Sequence, residues 1–177
     1  MSEANPLWRY SLEFYARPGA ESALLYLQDV LKLDVNLLLL CCWGGEEGLQ
    51  LNREFLTKLL SNSELQKWHA EGIVPLRQLR RAIKGFDLVG AQQVREQIKQ
   101  AEIAAEEVQQ DHMYHLLKSH IMPAAPGPYT LYQNLSDYGQ LQLSRALEWH
   151  EIKNLFVVAF PDMTESQLQE DIAGHTC

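Results

Sequence analysis

The sequence predicts an all-α protein, and three observations lead to this prediction. Apolar residues recur at steps of three and four along most of the chain, and no segment alternates as a half-buried strand does. Residues 91–121 contain neither proline nor glycine. Helix start signals recur, as at Asn5-Pro6, where a capping side chain precedes a proline. We therefore expect a single-domain bundle of about seven to eight helices.

The most apolar run, residues 33–43, predicts a buried central helix around which the others pack. It reads Leu-Asp-Val-Asn-Leu-Leu-Leu-Leu-Cys-Cys-Trp, and a helix that is apolar on nearly all sides is covered by protein. Asp34 is the natural N-cap of this helix. Gly44 follows the run directly, so we expect it to supply the left-handed residue that stops the helix.

Two further helices have distinctive patterns. Residues 63–84 keep a helical spacing, but Pro75 cannot donate its backbone hydrogen bond, which predicts a kink near residues 71–75. Residues 91–121 predict one long helix, whose apolar stripe includes Val94 and Val108.

We expect residues 1–177 to form one helical domain with a visible internal joint. The proline-rich segment 122–128 predicts a linker to a C-terminal helical part, residues 129–177. Within that part, Thr164 followed by Gln167 has the form of a capping box and predicts the start of a last helix.

Composition excludes several classes of function. The net charge of −8 argues against nucleic acid and anionic membranes as partners. No apolar run approaches the roughly 18–20 residues that cross a bilayer, and the N-terminus has no secretory pattern. The three cysteines do not form a disulfide framework, which favours a reducing, cytoplasmic location.

No cofactor or metal site is expected from the motifs present. The chain lacks the glycine-rich phosphate-binding motifs and the Gly-x-Ser-x-Gly of hydrolases. Glu107, Asp111 and His115 share one helical face, but the spacing of known zinc and di-iron motifs is absent. The adjacent Cys41 and Cys42 diverge on a helix, so we expect them to pack as small apolar residues.

A cluster of polar residues at the ends of three consecutive helices is the candidate ligand-binding site. It comprises Arg17, Asp29, Asp34 and Asn36, with Trp43 beside them. Arg17 can form a bidentate ion pair with Asp29 or with Asp34. The cluster is interpreted either as helix caps with a structural ion pair or as a pocket for a small ligand.

The candidate partner-binding face lies on the kinked helix. It comprises Arg77, Arg80, Arg81 and Lys84. These side chains are expected to meet an acidic protein partner or to pair internally with the acidic segment 102–111. The aromatic interleaving of a single-strand nucleic-acid binder is absent.

Several motifs together resemble a gammaproteobacterial family of conserved hypothetical helical proteins that is labelled as a domain of unknown function. The resemblance covers about residues 7–140 and implies a helical fold and a bacterial cytosolic origin, but no activity. The motifs are Leu7-Trp8, Tyr15-Ala-Arg-Pro-Gly-Ala-Glu21, Leu27-Gln-Asp29, Asp34-Val-Asn-Leu-Leu-Leu39 with Trp43, and Pro75-Leu-Arg-x-Leu-Arg-Arg81 with Lys84.

The sequence favours a non-enzymatic protein–protein interaction or regulatory module, although it leaves enzymatic activity open. Its partner is an unknown protein or a second copy of the chain. The alternative is a small-molecule-binding protein or enzyme that uses the polar cluster at the start of the central helix.

Overall fold

The computed structural model describes residues 5–118, 120 and 122–175, and it confirms the all-α bundle. The elements are α1 Pro6–Tyr15, α2 Ala20–Leu31, α3 Val35–Glu47, β1 Leu49–Gln50, α4 Arg53–Leu60, α5 Ser63–Trp68, a π-helical turn His69–Ile73, α6 Val74–Ile83, α7 Ala91–Leu117, β2 Met122–Pro123, α8 Pro128–Leu143, α9 Trp149–Ala159 and α10 Glu165–Gly174.

Helix α3 is the centre of the bundle, as its composition predicts. Every residue from Val35 to Gly45 is buried. Helix α8 packs along α3, and α1, α2 and α7 also contact it. Strands β1 and β2 form a short antiparallel pair that joins the end of α3 to the segment before α8. The side chains of α3 therefore supply apolar contacts to most of the fold.

The expected stop at Gly44 is wrong, because α3 continues through Gly44 and Gly45 to Glu47, and Gly48 caps its end. Gly48 has the left-handed conformation, with φ of 69°. The two earlier glycines serve packing instead. A Cβ on Gly45 would lie 2.5 Å from the Cβ of Leu131 on α8. The glycine pair thus lets α3 and α8 approach closely.

The irregularity predicted near Pro75 is present as the π-helical turn. The backbone N–H of Val74 bonds to the carbonyl of His69, five residues earlier. Proline has no N–H and crowds the carbonyl of the preceding turn, and a widened turn provides the room that it needs. The turn also sets His69 against the start of α3.

Helix α7 confirms the long helix, but its inward face differs from the predicted stripe. Val94 and Val108 are exposed, whereas Glu102 and Gln109 are buried. The helix ends at Leu117, and residue 121, the expected end, lies outside the described residues. Polar side chains occupy the inward positions because neighbouring helices supply partners for them.

Helices α6 and α7 form a hairpin that leaves the body of the bundle. None of the residues of α6 is buried, and α6 packs mainly on α7. The connection between them, residues 84–90, is exposed throughout. We call residues 74–101 the projecting hairpin. No helix in the described ranges is both long enough and apolar enough to cross a membrane.

The C-terminal helices α9 and α10 are part of the same bundle. Helix α9 packs on α2, and α10 packs on α8 and α9. Thr164 forms the predicted capping box with Gln167 at the start of α10.

Candidate functional site

A chain of side-chain hydrogen bonds crosses the core at the start of α3. The Ser11 hydroxyl donates to Gln110 Oε1 over 2.8 Å, and Gln110 Nε2 donates to Asn36 Oδ1 over 2.8 Å. Asn36 Nδ2 then donates to Gln109 Oε1 over 2.6 Å. Gln109 Nε2 completes the chain by donating to Asp34 Oδ2 over 2.8 Å. We call these five residues the polar relay.

The polar relay is buried and internally consistent. Ser11, Asn36, Gln109 and Gln110 are each at most 4% exposed. Every bond points the same way, from the Ser11 hydroxyl towards the carboxylate of Asp34, so the amides cannot rotate independently. A buried polar network of this kind is tolerated because each member finds a partner. It fixes the rotational setting of α7 against α3.

Asp34 accepts two hydrogen bonds and lies within ion-pair distance of a histidine. Its Oδ1 caps α3 by accepting the N–H of Asn36 at 2.8 Å, and its Oδ2 also lies 3.1 Å from Nδ1 of His69. Burial opposes ionisation, but His69, Gln109 and the Asn36 N–H together lower the pKa of Asp34 below its ordinary value. The surroundings of the carboxylate therefore favour its ionised form.

His69 is held as the partner of that carboxylate. The nearby carboxylate of Asp34 raises the pKa of His69, against burial and the charge of Arg77, which lower it. Nδ1 is buried, while 29% of the side chain remains exposed. The exposed part therefore belongs to the rest of the ring, which lines a cavity.

Two cavities border opposite ends of the polar relay. A cavity of about 340 Å³, the larger cavity, lies between the body and the projecting hairpin and is lined by Ser11, Asn36 and Gln110. A cavity of about 230 Å³, the smaller cavity, is lined by Asp34 and His69. The polar relay thus runs from the wall of the larger cavity to the wall of the smaller cavity.

Comparison with known proteins identifies a family. A family model described as "Protein of unknown function (DUF2390)" matches residues 6–113. The chain belongs to this family. No curated protein and no solved structure matches the chain.

All five residues of the polar relay, and His69 with them, lie inside the DUF2390 region. Tyr138 and Gln142, which also line the smaller cavity, lie beyond it. The larger cavity is built from residues of the DUF2390 region alone.

The structure separates the predicted ligand-binding residues of this DUF2390 protein. Asp34 and Asn36 lie together in the polar relay. Arg17 instead forms a bidentate ion pair with Glu46, near the other end of α3, at 2.6 and 2.8 Å. Asp29 and Trp43, the remaining members, contact Arg81 and the ring of Tyr114 respectively.

The predicted partner-binding face is largely used inside the protein. Arg77 Nε lies 3.1 Å from Glu102 and its Nη2 lies 2.9 Å from Glu106, and Arg80 also binds Glu102. Internal pairing with the acidic segment, one of the two expected outcomes, is therefore confirmed for these two arginines. The other two members behave differently, since Arg81 pairs with the half-exposed Asp29 and Lys84 is exposed.

Cys41 and Cys42 are fully buried in α3, and burial raises the pKa of both thiols. They pack in the core as expected. Cys177 lies outside the described residues. Across residues 5–118, 120 and 122–175, no group of three His, Cys, Asp or Glu side chains is placed to hold a metal ion.

Sequence reasoning missed Ser11, Gln109, Gln110 and His69. One usable signal was present: Ala105, Gln109, Met113 and Leu117 follow one another at steps of four, so Gln109 occupies an inward position. A glutamine in such a stripe needs a buried partner.

Proposed function

We propose that this DUF2390 protein is a protein–protein interaction module that binds a second copy of itself through the tip of the projecting hairpin. The observation that carries the proposal is the exposure of apolar side chains at this tip. Phe86 is 56% exposed and Leu88 is 68% exposed, and Val89 beside them is fully exposed. Contiguous exposed apolar residues mark interaction surfaces.

The hairpin is built in a way that favours docking. Its two helices are held together by the half-buried Leu76, Ile83 and Ile98, which leaves Leu79 and Val94 exposed. Two helices alone bury little apolar surface. A second pair of helices packed on these exposed residues would complete a four-helix arrangement.

The charges around the tip favour a second copy over a strongly acidic partner. Arg77 and Arg80 are already neutralised by Glu102 and Glu106. Arg81 pairs with Asp29 of α2. The remaining charges of the hairpin are of both signs: Lys84, Arg95 and Lys99 against Asp87 and Glu96. A surface that carries both signs around an apolar centre can pair with itself across a two-fold axis.

Sedimentation velocity over a range of concentrations tests the proposal. We expect the natural chain to form dimers and Leu88→Asp to remain monomeric. Val30→Asp is the matched control, because Val30 is an exposed valine on α2, outside the hairpin, and this variant should dimerise normally. A natural chain that stays monomeric at the highest concentrations, or a Leu88→Asp variant that still dimerises, would overturn the proposal.

A second candidate function is small-molecule binding in the larger cavity. Its volume of about 340 Å³ lies in the range of ligand pockets, which is roughly 300–1,000 Å³. Apolar side chains such as Trp8, Leu25 and Ile103 form its walls, and the polar relay lies at its base. Charged side chains also line it, among them Arg77, Lys99 and Glu106, so a ligand with both apolar and charged parts would suit this cavity.

A fragment screen followed by nuclear magnetic resonance tests this candidate. We expect fragments that shift the resonances of residues lining the larger cavity. These shifts should disappear in Ile103→Trp, because the larger side chain fills the cavity. Val108→Trp, at an exposed position of the same helix, should retain them. A screen without hits at this cavity would exclude the function.

We also propose a gammaproteobacterial, cytosolic setting, in keeping with the sequence motifs and the two free buried cysteines. Fractionation of cells that express a tagged chain from its natural locus tests this; recovery outside the cytosol would contradict it.

A further inference from the structure

The smaller cavity has a composition that goes beyond the proposed interaction function. Five of its lining residues are apolar, namely Leu37, Leu59, Leu60, Leu65 and Met113. The others are polar or charged, namely Lys32, Asp34, Gln66, His69, Gln109, Tyr138 and Gln142. Such a mixed lining suits a ligand with an aliphatic body and one polar end.

The charged groups at this cavity favour a negatively charged end. Lys32, Asp34 and His69 line it, and their formal charges sum to zero when His69 is neutral and to +1 when His69 is protonated. The carboxylate of Asp34 already accepts hydrogen bonds from Asn36 and Gln109 and lies 3.1 Å from Nδ1 of His69, so its charge is directed at groups of the protein. A single negative charge on the ligand would balance the site.

The remaining polar groups are donors that an anion can use. The Tyr138 hydroxyl accepts the N–H of Asp34 at 2.9 Å, which leaves its own hydrogen to donate. Tyr138 is only 1% exposed, so its hydroxyl position is fixed by packing. The ammonium of Lys32 donates one hydrogen to the carbonyl of Asp29 and keeps two others. The lining therefore includes a phenol, an imidazole and an ammonium.

We infer that the smaller cavity binds a short-chain aliphatic carboxylate. Its carboxylate meets His69, Lys32 and the Tyr138 hydroxyl, and its chain lies against the leucines. Asp34, whose Oδ2 lies 3.1 Å from Nδ1 of His69, acts as a positioning residue by favouring the protonated imidazole. No chemical step is required for this binding, and it does not depend on self-association by the projecting hairpin.

Titration with three matched probes tests the inference. Hexanoate, hexanamide and hexylamine have the same aliphatic chain, and only the first is an anion. We expect saturable binding of hexanoate by calorimetry, with amide shifts at residues of the smaller cavity. The amide and the amine should bind at least about tenfold more weakly.

Variants make the test specific. His69→Gln should weaken hexanoate binding by about tenfold or more, while His115→Gln, at an exposed histidine of α7, should leave it unchanged. If His69→Gln does not fold, Leu60→Trp provides a second variant, because Leu60 is only partly buried and a larger side chain there fills the cavity.

Three results would overturn the inference. They are the absence of saturable hexanoate binding, equal binding of hexanoate and hexanamide, and binding that maps outside the smaller cavity. Because the hairpin variant Leu88→Asp leaves this cavity untouched, its hexanoate affinity should equal that of the natural chain whatever its oligomeric state.

Discussion

Nδ1 of His69 lies 3.1 Å from Oδ2 of Asp34, so the π-helical turn is tied to the first residue before the central helix. This pair joins two segments that are far apart in the chain. It also gives the fold a pH-sensitive contact, because both of its members titrate.

We predict that the pair stabilises the protein most at mildly acidic pH. The raised pKa of His69 gives stability that is fully present below about 6.5, the ordinary value, and is lost as the pH rises through the folded-state pKa. The lowered pKa of Asp34 gives stability that is present above about 4 and is lost only in stronger acid. His69→Gln should therefore lower the free energy of unfolding by about 1–2 kcal/mol near pH 5.5.

Urea unfolding at about pH 5.5 and at about pH 8.5 checks this prediction. The difference in the free energy of unfolding between the natural chain and His69→Gln should be smaller at the higher pH. His115→Gln changes an exposed side chain, so its free energy of unfolding should stay close to that of the natural chain at both pH values. An equal loss at both pH values would mean that the charge of His69 is not involved.

A second prediction concerns the contact between α3 and α8. Gly45→Ala should lower the free energy of unfolding by about 2–3 kcal/mol, because its new methyl group would overlap Leu131. Gly85→Ala is the control, since a Cβ there meets no atom within 4 Å. Its effect should stay within about 0.5 kcal/mol. Thermal and urea unfolding measure the loss of stability in each variant. Similar losses for Gly45→Ala and Gly85→Ala would contradict the close approach of α8 to Gly45.

A third prediction separates two arginine–carboxylate pairs. Arg17→Lys should lower the free energy of unfolding by about 1–2 kcal/mol, because lysine cannot make both of the hydrogen bonds that the guanidinium donates to Glu46. Arg81→Lys should cost at most about 0.5 kcal/mol, because Arg81 and Asp29 are both about half exposed. The measurement is the free energy of unfolding of each variant at moderate salt. A larger loss of stability in Arg81→Lys than in Arg17→Lys would contradict the conclusion that the Arg17–Glu46 pair contributes more.

A fourth prediction concerns the polar relay. Asn36→Ala leaves Gln109 Oε1 and Gln110 Nε2 without their partner in the core, and should lower the free energy of unfolding by about 3 kcal/mol. Gln100→Ala, which removes an exposed amide of the same helix α7, should change it by less than about 0.5 kcal/mol. If Asn36→Ala were as stable as the natural chain, the relay would contribute nothing to packing.

The local signals in the sequence predicted local features well. Asn5 caps α1 by accepting the N–H of Trp8, and Thr164 caps α10, because a cap depends on residues within one turn. Pro75 marks the irregular turn for the same reason. The apolar run at the centre predicted a buried helix, because burial follows directly from composition.

The partner of Arg17 was out of reach of such reasoning. The sequence suggested Asp29 or Asp34, the nearest carboxylates at neighbouring helix ends. The structure pairs it with Glu46 because α3 does not stop at Gly44 but runs on to Glu47. One extra turn of helix thus decides which carboxylate Arg17 meets.

The sequence by itself determined the helical class, the caps, the kink and the buried central helix, all of which follow from spacing and composition. Only the tertiary structure decided that Gly44 and Gly45 stay helical. A glycine costs a helix about 1 kcal/mol relative to alanine, so the sequence favours a stop there. Packing of α8 on Gly45 reverses that preference, because burying Leu131 against a bare backbone offsets the cost. The same helix–helix contacts bring Asn36, Gln109 and Gln110 into one relay, which no local spacing encodes.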